Sequence, residues 1–591
     1  MAYEMRGVRC GALVLLCLSW SPRLLAQAPP RALSGDYSPY EEAALREAER
    51  VLGTSRDPAP EQKTVEEVVI RRLEPVERRD PAPTALNALH FESRTSTIAR
   101  ELQVQPGTAF SQAQCDESAR RLRALPQLSL VVCVALRGSR SARVKVLIVT
   151  KDVWSLFLDP DFNFDGGNLQ LEPKESNLLG LHHAVFLRYK RDPYSSSWGG
   201  NYTIPRFDGQ FVSLTADANV LVNQASGASE GSFGAFQARG VARNNRDPWS
   251  WFTDLNWFEG YKRTNLLTPR PAKDGSLMQA RHSELNATAA LTRSFGWRYK
   301  SDFTLALSGT KSGDWSEGSA DPAFKEALTA PQRRIGPVVE GHFYTSDFLR
   351  TYEVETLGLQ EDFRLGHDLL LKLAPALRLP SPSPSPSQHE TEQPRLLLGA
   401  TLTAQETFAL GDGFARLGAQ GALDVAQDGI QAPFVKGWLH LVTPRLGFGR
   451  LVADSEVTLS LDDLATRDVV NYSNVNRLRG YAAGQMSGRR IAVANVEYRT
   501  PALQLWTEQL GAVLFYDVGA KRGAVEESEV LDAVGVGLRI VTPLLERAGL
   551  RVDFALPLRR DSGREYAWFQ LAFGQAFGVP DVTPLKPKRL P

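Results

Sequence analysis

The 591-residue chain lacks two features that would point to common protein classes. It has almost no net charge, with 68 lysines and arginines against 67 aspartates and glutamates, and so lacks the basic excess with which nucleic-acid-binding proteins neutralise phosphates. After residue 26 it also lacks any apolar run of about 18 residues, the length that a membrane-spanning helix needs. A transmembrane β-barrel is not excluded, because its strands alternate in polarity and leave the mean hydropathy near neutral.

Cysteine is scarce, with four in the chain, and two of them lie in a segment typical of an export signal. Arg6 and Arg9 precede an apolar run at 11–18, and small residues follow around Ala26. This basic, apolar, small order is typical of a secretory signal peptide, and we predict that residues 1–26 are removed.

Removal of that segment leaves Cys115 and Cys133 in an exported chain. An oxidising compartment permits the two to form a disulfide. The alternative is a pair of buried thiols that never meet, and the residues alone leave both alternatives open.

Residues 27–63 are interrupted by five prolines and are predicted to form a linker. Within it, residues 40–52 are rich in alanine, glutamate and arginine, a helical composition. We expect a short solvated helix that leads into the first domain. The alternative is a segment that enters and plugs a pore.

Residues 64–150 are predicted to form one small α/β domain in the order β-α-α-β-β. The final strand shows the alternation of a half-buried strand, through Val144, Val146 and Ile148. Its elements are expected at residues 65–73, 96–102, 112–125, 129–136 and 143–149.

Residues 151–577 contain many segments of about ten residues that alternate in polarity, a pattern typical of a membrane barrel. In 550–558 every even residue is Leu, Val or Phe, whereas Arg551 and Asp553 lie on the other face. A soluble β-sandwich has the same period. Export and the unbroken length of the pattern favour a barrel, which must close because lipid offers no partner to an open edge. We therefore predict a mainly β fold: a transmembrane antiparallel β-barrel of about 16 strands, with between sixteen and twenty alternating segments counted, preceded by the α/β domain.

The α/β domain resembles a POTRA domain, the periplasmic module of the BamA-type superfamily of outer-membrane barrels. The resemblance rests on residues 102–107, on residues 117–123 and on the two closing strands. It implies that Cys115 and Cys133 lie close enough to bond. It also implies that an exposed strand edge can bind an extended client by β-augmentation; the alternative is that the domain is only a spacer.

Three motifs in the barrel region resemble the same superfamily in order and spacing. The first, Arg479-Gly480-Tyr481, matches a loop that folds back into the lumen, and the second, which contains Asp517 and Gly519, matches a motif on the inner wall. The third is the C-terminal strand at 569–577, with the residues Phe569, Phe573, Gly574 and Phe577, which resembles the aromatic-ended signal that assembly machinery recognises. The superfamily usually ends at that aromatic, whereas this chain continues with a proline-rich tail, residues 578–591.

The resemblance implies an ion pair between Arg479 and Asp517 that holds the loop in the lumen, because a guanidinium can form paired bonds to a carboxylate. The alternative is a mobile extracellular loop with a solvated arginine. A second expected site is the seam between the first strand, at 154–164, and the last. Pro160 cannot donate a ladder bond and Gly574 weakens a strand, so we expect a labile seam, unless Pro160 only marks the entry of its strand.

No enzyme signature is present, and no catalytic residue, metal site or cofactor is predicted. The adjacent His182 and His183 would face opposite sides of a strand and make a poor metal pair. The resemblance implies an outer-membrane protein whose POTRA-like domain lies in the periplasm. Its expected partners are outer-membrane lipid, unfolded client proteins and accessory periplasmic or lipoprotein factors, but not nucleic acid.

Three functions remain open at this stage. The first is an assembly or insertion factor that captures clients in the periplasm and releases them through the seam. The second is a two-partner-secretion-type pore that exports a dedicated client, and the third is a structural surface barrel.

Overall fold

The computed structural model describes residues 32–34, 37–80, 82–163, 168–192, 194–262, 280–316, 332–379, 394–427, 429–460, 470–471, 477–481, 487–522, 528–545, 547, 549–560 and 566–585. The predicted signal peptide, residues 1–26, lies outside the described residues. None of the helices in the described ranges is both long enough and apolar enough to cross a membrane.

The described part of the chain contains three α-helices and thirty β-strands. The helices are α1 Pro39–Leu52, α2 Thr95–Arg100 and α3 Gln112–Arg123. The strands are β1 Ala32–Ser34, β2 Thr64–Leu73, β3 Leu128–Arg137, β4 Arg143–Asp152, β5 Leu156–Asn163, β6 Asn168–Leu178, β7 His183–Arg191, β8 Ser195–Ile204, β9 Val212–Asn223, β10 Ser229–Gly240, β11 Trp249–Lys262, β12 Ala280–Phe295, β13 Tyr299–Ser316, β14 Gln332–Thr345, β15 Asp347–Tyr352, β16 Gln360–Leu379, β17 Arg395–Leu410, β18 Gly413–Ala426, β19 Gly429–Val442, β20 Arg450–Ser460, β21 Val470–Asn471, β22 Gly480–Tyr481, β23 Ser487–Gly488, β24 Arg490–Arg499, β25 Leu503–Leu505, β26 Glu508–Arg522, β27 Glu529–Val541, β28 Leu550–Pro557, β29 Tyr566–Ala567 and β30 Phe569–Phe573.

The α/β domain contains a three-stranded sheet in the order β2-β4-β3, with β2 parallel and β3 antiparallel to β4. Along the chain its elements follow the order β-α-α-β-β. All residues of β3 except Arg137 are buried. The reason is that α2 and α3 cover one face of the sheet, whereas α1 covers the other.

Helix α1 packs as part of the folded body, which differs from the solvated helix expected within the linker. Ser38 and Glu41 form a capping box at its start, and Gly53 ends it in a left-handed conformation. One face of the helix, which includes Tyr40 and Leu45, is buried against the sheet of the α/β domain. The spacing of these residues places them on one helix face, so the linker composition concealed an amphipathic helix.

Most of the remaining described strands form one sheet that closes as an antiparallel barrel. The sheet has 23 described strands; the wall runs from β5 to β30, β30 lies beside β5, and β9 pairs with β10 to complete the ring. Of the described strands in this sheet, β1, β15 and β25 lie off the ring; outside the sheet, β21 pairs with β23 and β22 pairs with β29. The mainly β fold with a large antiparallel barrel is confirmed. The twenty described wall strands lie at the upper end of the sixteen to twenty segments predicted from the alternation.

The two faces of the wall differ in the way a membrane barrel requires. In β28, Phe554 points outward and is 55% exposed, whereas the neighbouring Asp553 points inward and is buried. Leu538 and Arg539 of β27 show the same contrast. Large exposed apolar side chains follow the outer face around the ring, so the outside is suited to lipid and the inside to charge.

A hairpin at residues 347–365, here called the mouth hairpin, folds across the barrel opening that faces the α/β domain. It consists of β15, the start of β16 and the turn between them, and its apolar side chains pack against inner-wall residues of β18–β20. Arg350 of the hairpin binds Asp116 of α3 at 3.1 Å, and Ser38 donates a hydrogen bond to the Gly358 carbonyl at 2.6 Å. Strand β1 pairs in parallel with β15. The α/β domain is therefore attached to the barrel through this hairpin.

The last strand of the barrel is shorter than the strand predicted at 569–577. Strand β30 ends at Phe573, because Gly574 adopts φ +78, a left-handed conformation that breaks a strand. The chain then turns inward, and Phe577 is buried between inner-wall residues Phe414 and His440 rather than lying in the seam.

Candidate functional site

The Arg479-Gly480-Tyr481 loop lies inside the barrel, and a buried ion pair holds it there. Nε of Arg479 lies 2.7 Å from Oδ2 of Asp517, and its Nη2 lies 2.8 Å from Oδ1. The backbone N–H of Arg479 also donates to Asp517 Oδ2, at 3.2 Å. Both side chains are fully buried, and the guanidinium lies 3.4 Å from the ring centre of Phe515. This paired geometry positions the loop more firmly than a single charge contact would.

Further charged residues of the inner wall surround this pair. Arg479 Nη1 lies 2.7 Å from Glu497 of β24 and 3.5 Å from Asp553 of β28. Arg499 binds Glu497 at 2.6 Å, and Arg539 binds Asp553 at 2.6 Å. The five residues and Asp517 form what is here called the lumen charge cluster. It connects four wall strands, β24, β26, β27 and β28, to the loop.

Arg477 provides a second attachment two residues before Arg479. Its Nη1 lies 3.0 Å from Glu456, and its Nη2 is in contact with Asp454, both on β20. Asn495 donates to the Arg477 carbonyl at 2.5 Å and to Asp517 at 2.7 Å, and so joins the two attachments. The described part of the loop is thereby bound to the wall from β20 through β28.

Gly480 and Tyr481 place the loop beside the segment that precedes the last wall strand, β30. Gly480 has φ +92, and a Cβ there would lie 3.1 Å from Pro557, so a glycine fits this path best. Tyr481 donates from its hydroxyl to the carbonyls of Asp532 and Arg559, at 3.0 and 3.1 Å. The two residues form β22, which pairs with β29 just ahead of the last wall strand. Gly519 lies on the same buried face of β26 as Asp517.

The seam is formed by a short last strand. β30 pairs with β28 over five residues, from Leu550 opposite Phe573 to Phe554 opposite Phe569. Before Trp568, the chain forms β29, which pairs with β22 in the loop that contains Arg479, Gly480 and Tyr481. This loop is here called the lumen loop. Phe569 and Phe573 point outward and are 53% and 67% exposed. On the other side of the seam, Pro160 lies in β5 and its backbone faces Leu171 of β6.

A buried polar cluster joins the α/β domain to the foot of the first strands. His90 contacts Asp152 at 3.2 Å and Ser155 at 3.1 Å. Ser93 contacts His182 at 2.7 Å, in the turn between β6 and β7. Burial lowers the pKa of His182 to about 4, from its usual 6.5. The described part of the chain contains no group of three or more residues that could hold a metal ion.

Cys115 of α3 and Cys133 of β3 form a disulfide between helix and sheet in the α/β domain. It lies in the core of the domain beside Leu122 and Val131. This bond fastens α3, which also carries the contact of Asp116 with the mouth hairpin.

Sequence reasoning had singled out Arg479 and Asp517 from the resemblance, but it had not placed Glu497, Arg499 or Arg477 in the site. Glu497 and Arg499 alternate along β24 with outward residues, which is the signal that could have revealed them. The alternation places Arg551 and Asp553 on one polar face, but it does not indicate their partners.

The family comparison covers the C-terminal part of the chain. Residues 462–577 match the model of the Omp85 superfamily domain, which confirms the resemblance of this region to the BamA-type superfamily. No curated protein matches the chain.

Three solved structures match this chain at low sequence identity. BamA from Haemophilus ducreyi lacking POTRA domains 1-3 is 12% identical, with a TM-score of 0.32, over 93% of this chain and 99% of that chain. CdiB from Acinetobacter baumannii is 10% identical, with a TM-score of 0.34, over 95% and 96%. CdiB from Escherichia coli is 12% identical, with a TM-score of 0.34, over 87% and 76%.

Proposed function

We propose that this chain, which carries an Omp85 superfamily domain, assembles or inserts other proteins in the bacterial outer membrane. Its α/β domain lies in the periplasm and binds unfolded clients there. The clients leave through the seam between β5 and β30, into the bilayer. At the level of the family, the matched domain supports outer-membrane insertion or translocation.

The observation that carries the proposal is the link between the lumen loop and the last strand. Arg479 fixes the loop to the inner wall, and the next two residues pair with β29. The loop thus pairs with the backbone of β29, which a continuous last strand would have used for pairing within the wall. β30 is only five residues long, so it can offer few ladder bonds to β5, and we infer that the seam is the weakest part of the ring.

The lumen charge cluster makes this opening possible without loss of the barrel. It holds β24, β26, β27 and β28 together through side chains inside the wall. These strands therefore stay in register while β30 separates from β5. We infer that the cluster is the fixed side of the seam and that β5 is the moving side.

Depletion of the protein, followed by quantitative proteomics of the outer membrane, tests the proposal. We expect a broad decrease in many barrel proteins. Loss of a single secreted protein, with the barrels unchanged, would favour a dedicated pore instead. No change in either would favour a structural surface barrel.

The secretion pore is the second candidate because part of the chain occupies the lumen, as a closed pore requires. The occupant is not α1, which packs under the barrel between the α/β domain and the mouth hairpin. It is the C-terminal segment that begins at Gln575.

A further inference from the structure

The C-terminal extension enters the barrel and runs along its inner wall. Ala576, Phe577 and Val582 are buried, and Phe577 packs with Phe414 and His440. Leu585 packs against a second wall cluster on β11–β14, formed by Phe252, Ala290, Ala306 and Val338. The segment 575–585, here called the lumen tail, therefore spans from the wall of β18–β19 to the wall of β11–β14.

The wall and the mouth hairpin bind the lumen tail mainly through its backbone. Arg416 donates to the Pro580 carbonyl at 2.5 Å. The N–H of Leu585 donates to both carboxylate oxygens of Glu340, at 3.0 and 3.1 Å, and the N–H of Val579 donates to Glu355 at 2.9 Å. Contacts to backbone groups do not depend on side-chain identity, so they suit extended segments of many sequences.

The lumen tail does not extend the wall sheet. Residues 575–585 form no described strand, and Pro580 and Pro584 lack the N–H that a ladder needs. The tail is held by separate anchors instead of a continuous row of hydrogen bonds. A competing segment can therefore replace it one anchor at a time.

The first part of the tail is also connected to the lumen charge cluster. Gln575 accepts a hydrogen bond from Arg539 at 3.1 Å, and the Arg499 guanidinium lies 5.5 Å from the ring centre of Phe577. Arg539 and Arg499 bind Asp553 and Glu497, which contact Arg479. Release of the tail would change contacts beside the residues that fix the lumen loop.

We propose that the groove formed by Glu340, Arg416 and the apolar wall residues beside them is a binding site for an extended client segment. The lumen tail fills this groove in the resting protein. The segment that displaces it carries an aromatic or large aliphatic anchor and binds through its backbone. This inference rests on the proposed function, because the segment belongs to an unfolded client.

Two truncated chains test whether the tail covers the groove. Removal of residues 578–591 eliminates the contacts of Val579, Pro580 and Leu585 but keeps Phe577, whereas removal of 586–591 keeps every described contact. Each truncation is combined with Val338→Cys, a wall position only 6% exposed beside Leu585. The labelling rate with a thiol reagent is measured in the purified, oxidised barrel, with heat-modifiable gel mobility as the check of folding.

We expect the longer truncation to raise the labelling rate at least about tenfold, which corresponds to about 1.4 kcal/mol of lost protection. The shorter truncation should leave the rate near that of the full chain. Equal rates in all three folded chains would refute the inference. If the longer truncation does not fold, Arg416→Ala and Glu340→Gln in the full-length Val338→Cys chain replace it, with a smaller increase in rate expected from each.

A synthetic peptide of residues 578–591 tests whether the groove accepts a segment supplied from outside. We expect the labelled peptide to bind the chain truncated at 577 at least about tenfold more tightly than the full chain, again about 1.4 kcal/mol. It should also slow labelling of Val338→Cys. The same peptide with Val582→Asp and Leu585→Asp, which lacks the aliphatic anchors, is the control, and equal binding of both peptides overturns the site.

The two proposals fail in different ways. If the peptide binds the truncated barrel but depletion leaves the outer-membrane proteome unchanged, the groove exists and the assembly function is wrong. If depletion removes many barrels but truncation exposes nothing, the function holds and the groove is wrong.

Discussion

Replacement of Arg479 by alanine should be costly, because the side chain is fully buried among carboxylates. The variant removes both paired bonds to Asp517 and the contact to Glu497. Glu497 keeps Arg499 as a partner, whereas Asp517 keeps, among the described residues, Asn495 and one backbone N–H. An unpaired buried charge of this kind typically costs about 3–5 kcal/mol. We expect the barrel still to fold, because its ladder is intact, and we expect activity in cells to fall more than folding.

The assay is unfolding of the purified barrel in urea and detergent, followed by the loss of its heat-modifiable mobility on gels. Arg46→Ala is the matched control: its ion pair with Glu42 lies on an exposed face of α1, and its loss should cost no more than about 1 kcal/mol. Adding Asp517→Asn to Arg479→Ala should recover about 0.5–3 kcal/mol, because the stranded charge is then neutral. If Arg479→Ala is as mild as Arg46→Ala, or retains full activity in cells, the assigned role of the pair is wrong.

Two further predictions concern the α/β domain and its junction with the barrel. The double variant Cys115→Ala/Cys133→Ala should lose about 3 kcal/mol of domain stability, since the disulfide closes a loop with a sequence separation of 18; urea unfolding with and without reductant measures this, and equal midpoints contradict it. The buried His182 has a lowered pKa, so protons bind the unfolded chain more readily than the folded one. The contribution of His182 to the stability of the junction between the α/β domain and the barrel is fully present above about pH 6.5. It should fall by up to about 3 kcal/mol as the pH approaches 4. Limited proteolysis across this pH range measures the fall, and it should be smaller in His182→Asn; identical pH profiles for the two chains would exclude His182 as its origin.

The alternation of polarity was enough to predict the wall, because each wall residue has only two faces to choose between. Phe554 and Asp553 follow the assignment made from the sequence. The partner of Arg479 needed more information, since the two residues lie on different elements and their approach depends on how the loop folds. The resemblance to the superfamily supplied it.

The mouth hairpin and the lumen tail could not be predicted in the same way. Leu349 and Val354 lie in a segment whose composition resembles the neighbouring wall strands, so nothing local indicates that it leaves the wall. The tail is rich in proline, a composition typical of solvated segments, and its burial depends on wall residues such as Phe414 and Val338, which are distant in sequence. Helix α1 was misjudged for a related reason: the surface that covers Leu45 comes from the α/β sheet and the mouth hairpin.

The most direct test of the central claim is a reversible lock on the seam. Cysteine pairs are scanned along β5 and β30, and a pair that forms a disulfide in the folded barrel is tested in cells for assembly of outer-membrane proteins. Cysteine pairs between β27 and β28, which lie beside each other within the wall, provide the matched control. We predict that the seam lock abolishes assembly, that reductant restores it, and that the control lock has no effect. A seam-locked barrel that assembles its clients at the normal rate would contradict the account.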